Sequence, residues 1–282
     1  MLETINLKKS LSKSAYQKAM PELQERLRKL QYAARAANLT TIVCLEGWDA
    51  AGKGEVARKL TQKLDPRLFR VHQGTPPTPL EEGYHFLHRY QISLPNYGEM
   101  AMFVHGWYRR VLDERCDKLV KKSEWREAYQ QIDEFERWLS DDGQLIVKFW
   151  MHISKKKQRQ KFKKYLEDPN QAWRITKDYR RHHREYNRWV VAVEEMLART
   201  ETSYAPWTVI EANDQRWALI RILEVLAQRM QQQLDSVGEQ NPVSNQASQM
   251  ISELHREKPN KRGKRVNGHH KEQPQAGEAL HA

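Results

Sequence analysis

The chain of 282 residues predicts an α/β fold, a parallel five-stranded sheet flanked by helices, and two observations carry that prediction. Short apolar runs of strand length alternate with longer segments of helical period between residues 16 and 233, the pattern of strands joined by crossover helices. The first of those runs, Thr41-Ile42-Val43-Cys44-Leu45, feeds a glycine turn, Gly47-Trp48-Asp49-Ala50-Ala51-Gly52-Lys53-Gly54, which in turn opens a helix.

Residues 1–15 read as a flexible lead-in. Leu23, Leu27, Leu30 and Ala34 then fall on one face of a helix, with Pro21 in its first turn. Val56, Leu60 and Leu64 form the stripe of a second helix, which stops at Asp65-Pro66. Phe69–His72 reads as a short strand, and Thr75-Pro76-Pro77-Thr78-Pro79 as a loop. A helix through 82–90, a strand over 99–104, helices near 108–120 and 124–141 and a strand over 145–150 follow. A lysine-rich stretch at 155–167, a loop at Asp168-Pro169, a helix near 178–199, a strand at 207–211 and a helix near 215–233 complete one domain. From about Gly238 to 282, polar residues without apolar period predict a disordered tail.

The composition, 39% hydrophobic and 30% charged with nine tryptophans and mean hydropathy −0.88, is polar for a globular chain but too aromatic for wholesale disorder. No apolar run approaches the roughly 18 residues of a membrane span, and the N-terminus lacks the apolar core of a signal peptide. A cytoplasmic protein without membrane contact is expected. Cys44 and Cys116 alone argue against a disulfide framework or zinc site and read as free core thiols. Residues 1–230 carry 41 Lys and Arg against 30 Asp and Glu, so most of the net charge of +12 belongs to the domain, which implies an anionic partner. Nucleic acid, acidic lipid and a polyanionic phosphate all meet that description.

The turn at 47–54 is read as a phosphate cradle. A strand, a glycine turn and a helix N-terminus in series aim successive backbone N–H groups and the positive end of the helix dipole at one spot. Gly47, Ala50, Ala51, Gly52 and Gly54 would supply backbone and Lys53 a mobile ammonium, with Arg89 a further phosphate contact. Gly54 stands where many such loops place a metal-holding hydroxyl, and Asp49 lies inside the loop. The strand at 99–104 ends in Val104-His105 where an acid would hold Mg²⁺, and the next acids are Asp113 and Glu114.

Between Lys155 and Arg188 stand 13 Lys and Arg against four acids, the densest positive field in the chain. In a phosphoryl-transfer enzyme such a segment closes over the phosphates as a lid. A solvated helix face fits the charge equally well. His182 and His183 point apart on a helix and read as surface residues. Trp107, Trp150, Trp173, Trp189 and Trp207 read as core or edge packing.

Glu46 to Gly54 resembles the phosphate loop of the polyphosphate kinase 2 family. The segment from His105 to Leu112 is similar to that family's Asp-Arg-Ser-Trp-Tyr-x-Arg block, with Trp107, Tyr108 and Arg110 matching. Further ordered matches lie at Phe135-Glu136, Lys148-Phe149-Trp150, Asp168-Pro169, Trp173 to Thr176, Arg199 to Thr202, Ala205-Pro206-Trp207 and Asn213-Asp214. The resemblance spans roughly residues 15–230. It implies a P-loop kinase fold with a helical lid at about 155–188, homo-oligomers, and Mg²⁺-dependent phosphoryl transfer between inorganic polyphosphate and nucleotides. Residues 149–154 and 204–207 look closest to the AMP-phosphorylating branch. ADP and the guanine equivalents stay open.

On that resemblance Asp49, Lys53 and Arg110 would be catalytic. Asp49, helped by Glu114, would hold Mg²⁺, and Lys163, Lys164 and Arg174 would grip polyphosphate. The departures are Val104 for the family's metal-holding Asp, His105 for its Arg, Gly106 for its Ser, and Glu55 for a Gly. In addition, Tyr165 and Gln171 replace lid cations, and Pro76 falls where many members have Lys. They imply an alternative, a catalytically impaired member that binds polyphosphate or nucleotide as a partner subunit. Nonspecific nucleic-acid binding through the basic surface and Lys261 to Arg265 is a third reading.

Overall fold

A computed structural model describes residues 2–240. Strands β1 (Thr41–Gly47), β2 (Phe69–Gln73), β3 (Met100–Val104), β4 (Leu145–His152) and β5 (Trp207–Glu211) form one sheet in the order β2-β3-β1-β4-β5. All four pairings are parallel, as the alternation of strands and helices predicts. β1 lies between β3 and β4, with Leu45 opposite Val104 and Gly47 opposite Met151. Chain direction away from β1 reverses there, so the carboxyl ends of β1, β3 and β4 open the crevice where such sheets take ligands. β1, β3 and β4 are buried almost throughout, because helices cover both faces of a parallel sheet.

Lys148 interrupts the apolar run of β4 and is fully buried. Its ammonium lies 2.7 Å from Glu136 of α5 (Lys122–Asp141) and 2.6 Å from the Thr200 carbonyl. Glu136 also accepts from Trp107 Nε1 at 2.9 Å and from the Tyr108 hydroxyl, so every charge in the knot is matched.

Helix α1 (Lys13–Ala36) packs along α9 (Gln215–Gln240). The Ser12 side chain caps α1 by accepting from the Ala15 N–H, so the helix begins eight residues before Pro21 and passes through it, where the sequence places Pro21 in the first turn. The lead-in is not loose. Leu2 is buried and donates to Glu194, Lys9 pairs with Glu211, and Asn213 donates to the Leu7 carbonyl.

Other boundaries differ for physical reasons. The helix expected over 82–90 is a 3₁₀ turn at Glu81–Gly83 and a short α3 (His88–Gln91). That expected near 108–120 is a 3₁₀ turn at Trp107–Arg110 followed by α4 (Asp113–Cys116), because Lys118 takes a positive φ and stops it. The helix near 178–199 breaks at Glu185 into α7 (Lys177–Arg184) and α8 (Tyr186–Arg199). α9 runs through Gly238 to Gln240, its stripe of Ile222, Leu226 and Met230 buried in the core. The predicted tail beyond residue 240, with its basic cluster, lies outside the described residues. Cys44 and Cys116 are buried free thiols.

Candidate functional site

The turn after β1 leads directly into α2 (Lys53–Thr61). Gly47 has φ +148°, and a Cβ there would meet the Met151 carbonyl at 2.6 Å; Gly52, at φ +113°, forms the left-handed N-cap of α2. Glycine is required at both places, and with no capping side chain the first N–H groups of α2 face the cavity. Lys53 donates to the carbonyls of Gly47 and Trp48, the latter at 3.0 Å. Burial lowers the pKa of Lys53, opposed by the charges of Asp49, Glu46 and Asp113. Glu46, buried and accepting from the Gly106 N–H at 2.6 Å, is pushed up to about 8 by desolvation.

Trp48 anchors the loop. Its indole Nε1 donates to His152 Nδ1 at 2.9 Å, at the end of β4, and its ring stacks on Tyr186 of α8 at 4.2 Å.

The basic segment covers the loop as two helices, α6 (Lys155–Glu167) and α7, joined by a 3₁₀ turn at Ala172–Arg174. Gln158, Lys161, Phe162 and Tyr165 recur at helical spacing and face inward. Gln158 donates to the Asp49 carbonyl at 3.2 Å, and Lys161 donates to the Ala51 carbonyl at 3.1 Å. Burial and the neighbouring Lys157 lower Lys161 to about 8. Lys163 and Lys164 sit on the opposite, exposed face, and Lys163 pairs with Glu167. Neither lines the cavity over the loop, so the expected polyphosphate contact of these two residues is not brought together with Lys53 and Arg174.

A cavity of about 800 Å³ opens between loop and lid, lined by Gly52, Lys53, Arg58, Val104, His105 and Arg174 among others. Arg174 lies over the rings of Tyr165 and Trp173 at 5.7 and 5.5 Å. Trp173 is 74% exposed at the cavity's edge, which corrects its reading as a packing residue. Trp107, Trp150, Trp189 and Trp207 are buried as expected.

The other expected site residues stand elsewhere. Arg110 pairs with Glu114 at 2.9 Å and lies over Phe86. Arg89 donates to the Thr75 carbonyl at 3.0 Å and pairs with Glu81 at 3.3 Å. All three line a second cavity of about 470 Å³. Glu114 is therefore committed to Arg110 and does not join Asp49 as a metal-ligand pair. Asp113, one residue earlier, senses the charges of Asp49 and Lys53, and burial raises its pKa.

His182 is buried, against the surface reading. Its Nδ1 lies 2.9 Å from Asp49 Oδ2 and its Nε2 3.4 Å from Asp117, while the ring packs on Trp189 at 4.2 Å. Burial alone would lower its pKa, but the hydrogen bonds and charges of Asp117 and Asp49 outweigh it and carry it to about 9. His183 points away to Gln158 at 2.7 Å. A pair of adjacent histidines carries no sign of which one turns inward. Long-range pairing with Asp49, 133 residues earlier, decides it.

Among the described residues, no cluster of three or more His, Cys, Asp or Glu is arranged to hold a metal ion. Mg²⁺ commonly takes only one or two carboxylates, the rest of its shell coming from water and substrate phosphates. Asp49 and Asp113 both act electrostatically on Lys53, Asp49 lying 2.9 Å from His182 and Asp113 3.9 Å from Arg109.

A family model described as Polyphosphate kinase 2 (PPK2) matches residues 10–237. The chain is 35% identical over 226 residues to a polyphosphate:AMP phosphotransferase of Pseudomonas aeruginosa, covering 80% of this chain and 46% of that one. It is 33% identical over 240 residues to an AMP/ADP-polyphosphate phosphotransferase of Meiothermus ruber, covering 85% and 88%. A crystal structure of a polyphosphate kinase 2 from Pseudomonas aeruginosa PA01 superposes with a TM-score of 0.80 at 34% identity, over 83% of this chain and 50% of that one. The chain thus spans about half the length of the Pseudomonas relative. With its family model running across most of the chain and this site at the carboxyl edge of the sheet, the chain belongs to the polyphosphate kinase 2 family.

Proposed function

We propose that this chain transfers a phosphoryl group between inorganic polyphosphate and a nucleoside mono- or diphosphate, AMP or ADP in the first instance. The observation that carries the reading is the buried Lys53, held in a glycine loop beneath a basic two-helix cover beside a cavity of about 800 Å³. In the bound state the N–H groups at the start of α2 hold phosphate oxygens, and Lys53 leaves the loop carbonyls for them. Arg174 balances charge from the lid side, and Arg89 and Arg110 face the second cavity, suited to the acceptor's phosphates. Asp49 and Asp113 would hold Mg²⁺, which neutralises charge on the transferred group. Val104 supplies no side-chain oxygen at the position where the family has its Asp, so the protein ligands of the metal would be those two acids. Transfer is direct and in line, since positioning and charge neutralisation suffice for a loose transition state.

The buried free thiols fit a reducing compartment, which supports a cytoplasmic location, and family resemblance supports a homo-oligomer. Incubation of the full chain with Mg²⁺, long-chain polyphosphate and AMP, ADP, GMP or GDP in turn tests the reading. Phosphorylated nucleotide supports it. Polyphosphate binding with no product from any acceptor overturns it in favour of a binding subunit.

A further inference from the structure

Three segments distant in sequence meet on one ring. The loop contributes Asp49, the segment after α4 contributes Asp117, and the lid helix α7 contributes His182 between them. Trp189 of α8 closes the ring's face at 4.2 Å. Asp117 is also paired with Arg181 at 2.9 Å, so the same carboxylate receives two adjacent lid side chains. The two lid helices reach the loop differently. α6 donates through Gln158 and Lys161 to main-chain carbonyls, whereas among the described residues the polar contact from α7 to the loop is that of His182 to the Asp49 carboxylate. Of the four cations on α7, Lys177, Arg180 and Arg184 are exposed, and Arg181 is held by Asp117 and Asp178.

We propose that His182 is a positioning residue that fastens α7 to the phosphate loop: its ring, gripping Asp49 on one side and Asp117 on the other, holds the lid down and fixes the direction of the Asp49 carboxylate. The inference rests on the reading of 47–54 as the phosphate-holding loop. Opening of the lid for a long polyanion then requires His182 to leave Asp49, so lid position and the aim of the one acid inside the loop are coupled through a single side chain.

Trypsin tests this without any substrate, because the segment 155–188 carries 13 Lys and Arg and cleavage there tracks the population of the open lid. The first cut in that segment is timed by intact mass on the full chain, with the thermal midpoint recorded alongside. His182→Ala is expected to speed the cut by about tenfold or more, and His182→Gln, which keeps one donor to a carboxylate, to fall between the two. Asp49→Asn alone is expected to speed it severalfold but to add less than about twofold in the His182→Ala background, since both remove the same contact. A His182→Ala rate within about twofold of the parent, a Gln variant no slower than the Ala variant, or additive effects would each overturn the proposal. If His182→Ala fails to fold, His182→Gln and Asp117→Asn decide by the same comparison. A silent phosphotransfer assay leaves this readout untouched, so failure of the kinase reading and failure of the clasp are distinguishable.

Discussion

Lys53 donates to the carbonyl of Trp48 at 3.0 Å, so the ammonium that would meet a phosphate is turned onto the backbone of its own loop. Burial lowers its pKa, and three carboxylates act against that effect. A phosphate oxygen is a stronger acceptor than a peptide carbonyl, so ligand binding draws Lys53 outward. Lys53→Met should lower polyphosphate affinity by about 10- to 100-fold, the worth of a charge-assisted hydrogen bond of about 1.5–3 kcal/mol. Titration calorimetry at fixed salt reads it. Unchanged affinity would move the anion onto the lid.

The loop's other anchor titrates. His152 Nδ1 accepts from Trp48 Nε1 at 2.9 Å, and burial lowers its pKa from 6.5 to about 4, with Glu194 opposing. The unfolded chain therefore takes up this proton first as pH falls. Stability is expected to be lost between pH 6.5 and 4, by at most about 3 kcal/mol from this group. His152→Asn, whose side-chain oxygen can still accept from Trp48, should flatten that part of the urea-unfolding profile against pH. An identical slope in the variant would show that the loss arises elsewhere.

The knot of Lys148 and Glu136 is the most exacting charge pair in the core, with both side chains fully buried. Lys148→Met leaves the Glu136 carboxylate and the Thr200 carbonyl without their cation and should cost about 3–5 kcal/mol. Adding Glu136→Gln should recover part of that loss by removing the unpaired charge. Chemical denaturation of the single and double variants gives both numbers, and a single variant within about 1 kcal/mol of the parent would refute the assignment.

Much of this fold was legible because its signals are local. The apolar runs at 41–45 and 145–150 and the glycine turn at 47–54 each identify a strand or a loop within a few residues. The site was legible only as far as the loop. Lys163 and Lys164 looked equivalent to Lys161 by charge, and helical phase separates them, since only Lys161 falls on the stripe of Gln158, Phe162 and Tyr165. The resemblance implies Glu114 as a helper of Asp49, but Arg110, four residues before it, pairs with it. His182 depends on Asp49 and Asp117 converging from distant segments, which no local pattern encodes. Pro21 and the lead-in were misplaced for a similar reason: Ser12 caps the helix early, and Leu2 finds its partners beyond residue 190.

Val104 closes β3 opposite Leu45 and lines the cavity with Lys53. A carboxylate there would give Mg²⁺ a ligand from the sheet in addition to the two acids already present. Val104→Asp, alone or with His105→Arg, should raise turnover by about tenfold or more, since a well-directed metal ligand is commonly worth several kcal/mol in the transition state. A folded, polyphosphate-binding double variant that is no faster would show that this strand end is not where the site is short of charge.

Phosphoryl transfer takes place, on the proposed function, at the loop beneath the lid. Its most direct test is to mix the full chain with Mg²⁺, ³²P-labelled polyphosphate and AMP or ADP, and to follow the label by thin-layer chromatography beside Lys53→Met. Labelled nucleotide is expected from the parent chain and is expected to be lost in the variant. Label that never leaves polyphosphate, or that leaves equally fast without Lys53, would rule out transfer at this loop.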